Sequence, residues 1–340
     1  MKSPYARFAL SRTAQAVVVV LLAYIFTFLV ISVLPGDPVS STLKNPDNGF
    51  TQEDIDRIVA YYGLDEPLLT QLWTSLSRFV VGDFGISLRS NLPVKQLIAE
   101  ALPSTLILAS TAFIVALVLA ALIAWGSQVL PPKYGQGIVR AFPSLFLSIP
   151  NFVIGLLLIQ VFAFGLGLFR VIDSESPWST FFAAIALGIP VSAQLAEVLI
   201  ANLDHESRQE YVAVARSQGL RRSSLFARHL VKPSALPTIT VLALIVGELL
   251  GGSLITESIF GRTGIGTLVQ RAVASQDLPV LQAVVSLAAI IFIVVNLIAD
   301  LAYPLLDPRV SIDGASRPRA VSPAADQPIR TPLQEEVSVI

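Results

Sequence analysis

Residues 15–34 read QAVVVVLLAYIFTFLVISVL, and this run of twenty residues without a charge decides the fold class. About twenty apolar residues are what an α-helix needs to cross the hydrocarbon core of a bilayer. With Ala14–Leu34 as the first span, the sequence predicts an all-α integral membrane protein with six transmembrane helices. The other five spans lie at about Leu102–Leu130, within Ala141–Phe169, and at about Trp178–Ala201, Leu236–Ile255 and Pro279–Ala302.

The composition agrees with a helical membrane protein. Hydrophobic residues make up 54% of the chain and charged residues only 14%, whereas soluble domains carry about 25% charged residues. A transmembrane β-barrel has short segments of alternating polarity, and this sequence has none. The chain also has no cysteine, which excludes disulfides, thiol chemistry and cysteine metal sites.

The basic residues predict the orientation of the spans. Cytoplasmic loops of membrane proteins carry an excess of lysine and arginine. Three basic segments fall on one side of the six-span arrangement, which places that side and both termini in the cytoplasm. The basic residues are Lys2, Arg7 and Arg12 before the first span, Lys133 and Arg140 between the second and third, and Arg208, Arg216, Arg221, Arg222, Arg228 and Lys232 between the fourth and fifth.

The chain divides into four parts. Residues 1–34 are the cytoplasmic N-terminus and first span, and residues 35–101 are an acidic external insertion. Thr51 and Asp54 indicate a helix start in the insertion, and Pro67 indicates a second, whose apolar stripe is Leu68, Leu72, Leu76 and Phe79. Residues 102–306 form the five-helix core, and residues 307–340, with five prolines, are predicted to be a disordered cytoplasmic tail.

The loop between spans four and five, residues 202–235, is longer than a simple connection needs. Residues 210–229 read EYVAVARSQGLRRSSLFARH, which predicts a short helix, a left-handed turn at Gly219 and a second short helix. Pro233 and Pro237 are expected to end that second helix. The loop either marks the topology alone or docks on a partner protein through an apolar anchor such as Phe226.

The loop carries a resemblance to a known family. The stretch EYVAVARSQGLRRSSLFARHLVKPSALP resembles the cytoplasmic loop of permease subunits of ATP-binding-cassette (ABC) importers of the dipeptide, oligopeptide and nickel branch. Stretches similar to that family occur in the same order along most of the chain, namely LPGDPV, YGLDEPL, GDFGISLRSNLPV, LPSTLILA, SIPNF, ESIFGRTGIG and LLDPRV. In two places the chain departs from the pattern. The acid of the older E-A-A motif is missing at Ala213, and Gln194 stands where relatives often have a basic residue.

The resemblance implies a type I ABC importer permease in a bacterial cytoplasmic membrane. It implies three kinds of protein partner: a homologous second permease, two cytoplasmic ATPase subunits or a fused pair, and an external substrate-binding protein. ATP and magnesium would bind to the ATPase subunits, which dock on the loop. The residues that we expect to couple the loop to the ATPases are Tyr211, Ala215, Gly219, Leu220, Arg221, Leu225, Phe226 and Leu230. For Phe226, a position flat in the bilayer interface is the alternative to an anchor.

Polar residues inside the spans are candidates for the translocation path, because a charge at the bilayer centre costs about 2.5–3.5 kcal/mol even on the mildest scale. The candidates are Glu248, Ser253, Gln160 and Asn151. For Glu248 an alternative stays open: Gly247 and Gly251 favour a close helix contact, across which Glu248 forms a hydrogen bond. Asp300 is expected to form a structural ion pair near the end of span six.

The sequence contains no motif for catalysis or for a bound cofactor. It has neither a P-loop nor a G-x-S-x-G nucleophile motif, and its two histidines lack metal-ligand spacing. We therefore expect no catalytic residue, no metal site, no cofactor bound by this chain and no nucleic acid partner, only protein partners and membrane lipid. Peptides are the expected substrates, while nickel chelates or other small solutes are the alternative. A stand-alone secondary transporter is a further alternative, which the lack of a visible inverted repeat disfavours.

Overall fold

The computed structural model describes residues 4–33, 51–63, 65–131, 133 and 135–306. Residue 34 at the end of the predicted first span, residues 35–50 of the predicted insertion and the predicted tail 307–340 lie outside the described residues. The helices in chain order are α1 Pro4–Val33, α2 Gln52–Tyr62, α3 Leu68–Val80, α4 Val94–Val129, α5 Gln136–Leu147, α6 Asn151–Leu158, α7 Pro177–Ser207, α8 Glu210–Ser217, α9 Arg222–Leu225, α10 Val231–Phe260, α11 Ile265–Ala274 and α12 Leu278–Leu306. Two π-helical segments, Ile159–Gly165 and Phe226–Leu230, follow α6 and α9.

The described residues confirm the all-α membrane fold. Four helices are long and apolar enough to cross a membrane by themselves: α1 over Ala9–Val30, α4, α7, and α12 over Leu278–Leu301. Two bent pairs, α5 with α6 and the second half of α10 with α11, raise the number to six if each pair is one span. Within the described ranges no strand forms, and the β-type pairing there is an isolated bridge between Ile86 and Pro93.

The third span is broken, which the charge-free run alone does not reveal. Helices α5 and α6 meet at 103°, and Pro150 stands immediately before α6 with an extended backbone (φ −56°, ψ 138°). Proline lacks an amide hydrogen and disfavours helical geometry at the residue before it. The stretch SIPNF therefore ends one helix and begins another.

The second half of the loop is continuous with the fifth span, so the prediction that Pro233 and Pro237 end a separate helix is wrong. Arg222–Leu225, the π segment Phe226–Leu230 and Val231–Phe260 follow one another without a gap, and positions 233 and 237 fall inside α10. The wider turn of a π segment is a common place for a helix to absorb a local irregularity. The π segment here ends three residues before the first of the two prolines.

Small residues bring α4 and α7 close together in the centre of the core. Ala112, Ala116 and Ala120 of α4 are fully buried, as are Ala183 and the alanines around it in α7. A Cβ added to Gly188 would lie 2.9 Å from the carbonyl oxygen of Ala112. Small side chains let helix backbones approach closely, which supplies the van der Waals contact that holds helices together in lipid.

The molecule has two ends, which we name by what they carry. The loop end carries residues 208–221 and the end of α4, because Ala124 packs with Leu203 and Val212. The insertion end carries residues 51–93 and the start of α4. Helix α1 begins and α12 ends at the loop end, where Arg12 and Asp300 form an ion pair at 3.4 Å. This ion pair confirms the structural role expected for Asp300.

The insertion begins with the predicted cap and is tied to the last span. Thr51 and Asp54 form a reciprocal capping box at the start of α2, and their hydrogen bonds lower the pKa of Asp54. After α3, the loop 81–93 returns to the core. There the buried carboxylate of Asp277, directly before α12, accepts hydrogen bonds from the Ser87 hydroxyl and from the Leu88 amide at 3.1 Å.

Candidate functional site

The turn after α8 adopts the backbone geometry that its sequence predicts. Gly219 has φ +81°, in the left-handed region, and its amide donates to the carbonyl of Arg216 at 3.0 Å. A Cβ added to Gly219 would meet no atom within 4 Å. The need for glycine here therefore comes from the backbone angle and not from a lack of space.

An apolar cluster fixes the loop on the spans. Val212 and Ala215 of α8 pack with Leu225 and Leu230 against Ala124 of α4 and Leu203 of α7. All six side chains are buried. Three of the residues expected to couple to the ATPases, Ala215, Leu225 and Leu230, are therefore turned towards the protein and connect the loop to α4 and α7.

The opposite face of α8 is exposed. Tyr211 and Val214 are exposed apolar residues, and Gln218, which follows the helix, is exposed as well. Their spacing of three and four residues places them on one face. We call these three residues the outer face of α8. Arg221, also exposed, follows the turn. Tyr211 and Arg221 are among the coupling residues predicted from the sequence, whereas Val214 is not, although its spacing from Tyr211 is visible in the sequence.

Phe226 is only half buried and lines a cleft beside the apolar cluster. The cleft has a volume of about 410 Å³, and its walls include Leu220 and Phe226 of the loop and Gln128 and Gln136 from the region where α4 ends and α5 begins. Phe226 and Leu220 also pack against the cluster. Phe226 is therefore less prominent than Val214, which is 56% exposed.

The hydroxyl of Tyr211 links α8 to the start of the fifth span. It lies 2.7 Å from Glu206 Oε2, to which it donates, and 3.3 Å from the carbonyl oxygen of His229. Pro233, four residues after His229, has no amide hydrogen to offer that carbonyl. Burial and the hydrogen bond to Glu206 raise the pKa of Tyr211 to about 12.

Two pairs of polar side chains lie on exposed surface of the spans. Gln194 of α7 donates from Nε2 to Glu248 Oε1 of α10 at 2.9 Å. Ser144 of α5 lies 3.5 Å from Glu197 Oε1. Glu248 and Glu197 are both exposed in the isolated chain. Glu248 therefore shows one feature of each interpretation. It is hydrogen-bonded across the contact between α7 and α10, and it is also exposed at the surface of the isolated chain.

The glycines near Glu248 lie in different surroundings. A Cβ on Gly247 would lie 2.6 Å from the ring of Phe292, so this glycine permits close packing of α10 on α12. A Cβ on Gly251 would meet nothing within 4 Å, whereas one on Gly252 would lie 3.0 Å from Leu187 of α7. Close helix contacts are therefore present at Gly247, against α12, and at Gly252, against α7, whereas Gly251 makes none.

The other candidates for the translocation path do not gather around Glu248. Ser253 is 1% exposed, and its hydroxyl donates to the carbonyl of Leu250 at 2.9 Å. It therefore lies in the interior and does not share the surface of Glu248. Asn151 is half buried, and Gln160 is exposed in the π segment after α6.

A buried network at the insertion end was not anticipated as a functional element. Glu257, with no exposed surface, accepts hydrogen bonds from Thr105 Oγ1 at 2.6 Å and from the Thr267 amide at 3.1 Å. Thr105 in turn accepts from the Ile265 amide at 2.7 Å. Glu257 and Thr105 thereby satisfy free amide groups of the first turn of α11.

Arg262 forms the second part of this network. It is 1% exposed and donates to Glu175 Oε2 at 2.7 Å, to the carbonyl of Ser174 at 2.7 Å and to Thr180 Oγ1 at 2.8 Å. It also donates to Ser104 Oγ at 3.1 Å. From the sequence, the stretch ESIFGRTGIG is noted only for its resemblance to the permease family, and its two charged residues receive no role. The signal that could have revealed the network is a pair of charges among three glycines at the end of an apolar run.

The described residues contain no group of three or more histidine, aspartate or glutamate side chains arranged to hold a metal ion. The polar groups of the site instead form neutral and ionic hydrogen bonds between helices.

Comparison with known proteins covers nearly the whole chain. Residues 112–312 match the family described as "Binding-protein-dependent transport system inner membrane component", and residues 5–109 match the N-terminal region of such membrane components. The oligopeptide transport system permease protein AppB of Bacillus subtilis is 31% identical over 318 residues, which are 90% of this chain and 99% of AppB. The glutathione transport system permease protein GsiC of Escherichia coli (strain K12) is 30% identical over 286 residues, which are 84% of this chain and 92% of GsiC.

Among solved structures, the chain is similar in fold to a chain of the MetNI methionine ABC transporter in an inward-facing conformation. The TM-score is 0.53 at 15% sequence identity, and the match covers 62% of this chain and 97% of the other.

Proposed function

The chain belongs to the family of inner membrane components of binding-protein-dependent transport systems, and from that premise we propose that it forms half of a peptide pathway. It is a permease subunit of an ABC importer and a multi-pass protein of the inner membrane. Permeases named for oligopeptides and for glutathione match it over most of their length, which supports peptides as the substrate class. Nickel chelates or another small solute are the alternative.

The observation that carries the proposal is the outer face of α8. An apolar face is exposed on a helix whose other face is fixed to α4 and α7 by the apolar cluster. In our proposal, a cytoplasmic ATPase subunit docks on Tyr211, Val214 and Gln218, with Arg221 at the edge. The basic residues near the loop end support its cytoplasmic placement.

The apolar cluster gives the docked ATPase a mechanical connection to the spans. A displacement of α8 is passed through Val212 and Ala215 to Leu203 and Ala124, because closely packed side chains are not readily compressed. Packed elements of this kind change between discrete arrangements when a partner binds. The π segment Phe226–Leu230 lies where the loop joins the fifth span, so that span receives the same displacement.

A homologous second permease would complete the pathway. Glu248 with Gln194, and Glu197 with Ser144, lie on exposed surface of helices that cross the membrane. A carboxylate inside the membrane needs water or a partner. Gln194 donates one hydrogen bond to Glu248, which is fewer than a charged carboxylate can accept. We propose that this surface faces a wet path between the two permeases and not lipid.

The insertion offers a surface for the external binding protein. Glu53 and Arg57 of α2 are exposed and form an i,i+4 ion pair at 3.3 Å. Cross-linking from either position to the binding protein tests this contact. Full uptake by a chain in which the insertion is shortened to a bare turn would contradict it.

The test of the proposed function is uptake by the reconstituted complex. The two permeases, the ATPase subunits and the binding protein are placed in proteoliposomes, and uptake of labelled tripeptides is measured with ATP present. We expect peptide uptake that stops when ATP or the binding protein is left out. Uptake by this chain without ATPase subunits would identify a secondary transporter, and a non-peptide ligand in the co-purified binding protein would overturn the substrate class.

A further inference from the structure

The exposed face of α3 carries apolar side chains that the described part of the protein leaves uncovered. Leu69 is 80% exposed, Trp73 is 72% exposed and Val80 is 71% exposed. With Ser77, which is also exposed, they follow one another at spacings of four, four and three residues along one face of the helix. We call these four residues the α3 stripe.

The charged group of α3 is turned away from the α3 stripe, and the hydroxyl of the one polar residue in the stripe is hydrogen-bonded inside the helix. Arg78, the only charged residue of α3, donates to the carbonyl of Tyr61 and lies 4.0 Å from the centre of the Tyr61 ring. The Ser77 hydroxyl donates to the carbonyl of Thr74 at 2.8 Å. The α3 stripe therefore offers no charge and no free hydroxyl to water.

The contact between α3 and α1 fixes the depth of α3 in the membrane. Tyr24 of α1 forms a hydrogen bond with Ser75 at 2.6 Å, and its ring lies 4.4 Å from the ring of Phe79. The apolar stretch of α1 reaches at least Val30, and the charge-free run of the sequence reaches Leu34. These residues lie six and ten positions after Tyr24, which is about 9 and 15 Å along a helix axis. Ser75 and Phe79 thus contact α1 well inside the level at which its apolar stretch ends.

The surface of α1 at the same level must face lipid or another protein. Leu22 and Phe26, on either side of Tyr24 in sequence, are 59% and 69% exposed, and the apolar stretch Ala9–Val30 is long enough to cross a bilayer. Helix α3 therefore lies beside an apolar membrane surface and not above it in water. Amphipathic helices that lie in a membrane interface bury their apolar face about 5–10 Å into the boundary between head groups and acyl chains.

We propose that α3 is an interfacial helix whose stripe, Leu69, Trp73, Ser77 and Val80, is embedded in the lipid leaflet at the insertion end. Tryptophan is enriched at this level of membranes, where its ring sits among the head groups. The partner of this surface is the bilayer itself. Helix α2, whose exposed side carries Glu53, Asp56 and Arg57, remains in water above it. The proposal does not depend on the transported substrate.

Trp73 provides the probe for this proposal. The full chain with Trp125→Phe and Trp178→Phe keeps Trp73 as its only tryptophan, because the sequence has three. In lipid nanodiscs we expect lipids brominated in the upper part of the acyl chain to quench its fluorescence, and aqueous iodide to have little effect. The control has Arg57→Trp in a Trp73→Phe, Trp125→Phe, Trp178→Phe background and should show the opposite pattern. Strong iodide quenching of Trp73 without quenching by brominated lipid would overturn the proposal.

A second measurement uses the absence of cysteine from the chain and leaves all tryptophans in place. Single variants Leu69→Cys and Val80→Cys are compared with Arg57→Cys for reaction with a charged, membrane-impermeant maleimide in native membranes. The thiolate is the reactive form, so a thiol among acyl chains should react at least about tenfold more slowly than Arg57→Cys. Equal rates would place the stripe in water. Slow labelling combined with no quenching by brominated lipid in the assembled complex would show that a protein partner covers the stripe, and would also overturn the proposal.

Discussion

Replacing Gly219 by valine should uncouple ATP hydrolysis from uptake without preventing the chain from folding. Gly219 has φ +81°, and an added Cβ would meet no atom within 4 Å, so the cost comes from the backbone alone. The left-handed conformation costs an L-residue roughly 1–2 kcal/mol. This changes the ratio between the described turn and its alternatives by a factor of about 5–30, and a β-branched side chain is the least suited to the turn.

The assay compares Gly219→Val with Gly219→Asn in the reconstituted complex. Asparagine tolerates the left-handed region better than other non-glycine residues, so Gly219→Asn should keep most uptake. Gly219→Val should lose most uptake and most stimulation of the ATPase by the loaded binding protein, while basal ATP hydrolysis persists. If the two variants behave alike and both match the wild type, the backbone angle of Gly219 has no part in coupling.

Three further outcomes are expected. Arg262→Leu should lower the free energy of unfolding in detergent by about 3 kcal/mol. This is the lower end of the cost of breaking a buried ion pair, because the carboxylate partner, Glu175, is half exposed. An unchanged melting temperature would contradict this. Val214→Asp should release the ATPase subunits in a pull-down more readily than Phe226→Ala, since Val214 is the more exposed; the reverse order would restore Phe226 as the anchor. For Tyr211 the folded-state pKa of about 12 exceeds the ordinary value near 10, so its contribution to stability is complete below pH 10 and is lost as the pH rises through 12. The difference in phenol absorbance between the wild type and Tyr211→Phe should therefore titrate near 12 and not near 10.

The apolar runs predict the spans because the backbone amide and carbonyl groups of each run find no water in lipid. A helix satisfies these groups with hydrogen bonds inside one segment. The interruptions are harder to predict. Pro150 breaks the third span, whereas Pro233 lies inside a continuous helix. Pro150 itself has an extended backbone (ψ 138°), whereas Pro233 follows a π segment that runs without a gap into α10. The proline alone does not distinguish the two cases.

The same reasoning separates the site residues that the sequence could predict from those it could not. Gly219 and the helical spacing of the loop are local properties, and the structure shows the predicted turn. The exposed face of α8 is decided by the packing of its other face against Leu203 and Ala124, which belong to other helices. Likewise, Glu257 and Arg262 find their partners on α4 and near the start of α7, far away in the sequence, so their charges were visible but their roles were not.

The pairing of α1 with α12 sets a sequence of events in biogenesis. Arg12 contacts Asp300, so α1 must wait for α12 to be made before this contact forms. About 245 residues separate the end of α1 at Val33 from Leu278, which at a synthesis rate of 5–20 residues per second is about 12–50 s. Only 11% of the most apolar part of α1 is buried in the finished protein, so α1 gives up few contacts by remaining alone in the bilayer. Helix α1 can thus stay in the bilayer with few contacts until α12 has been made, and the pairing of these two helices then completes this part of the structure.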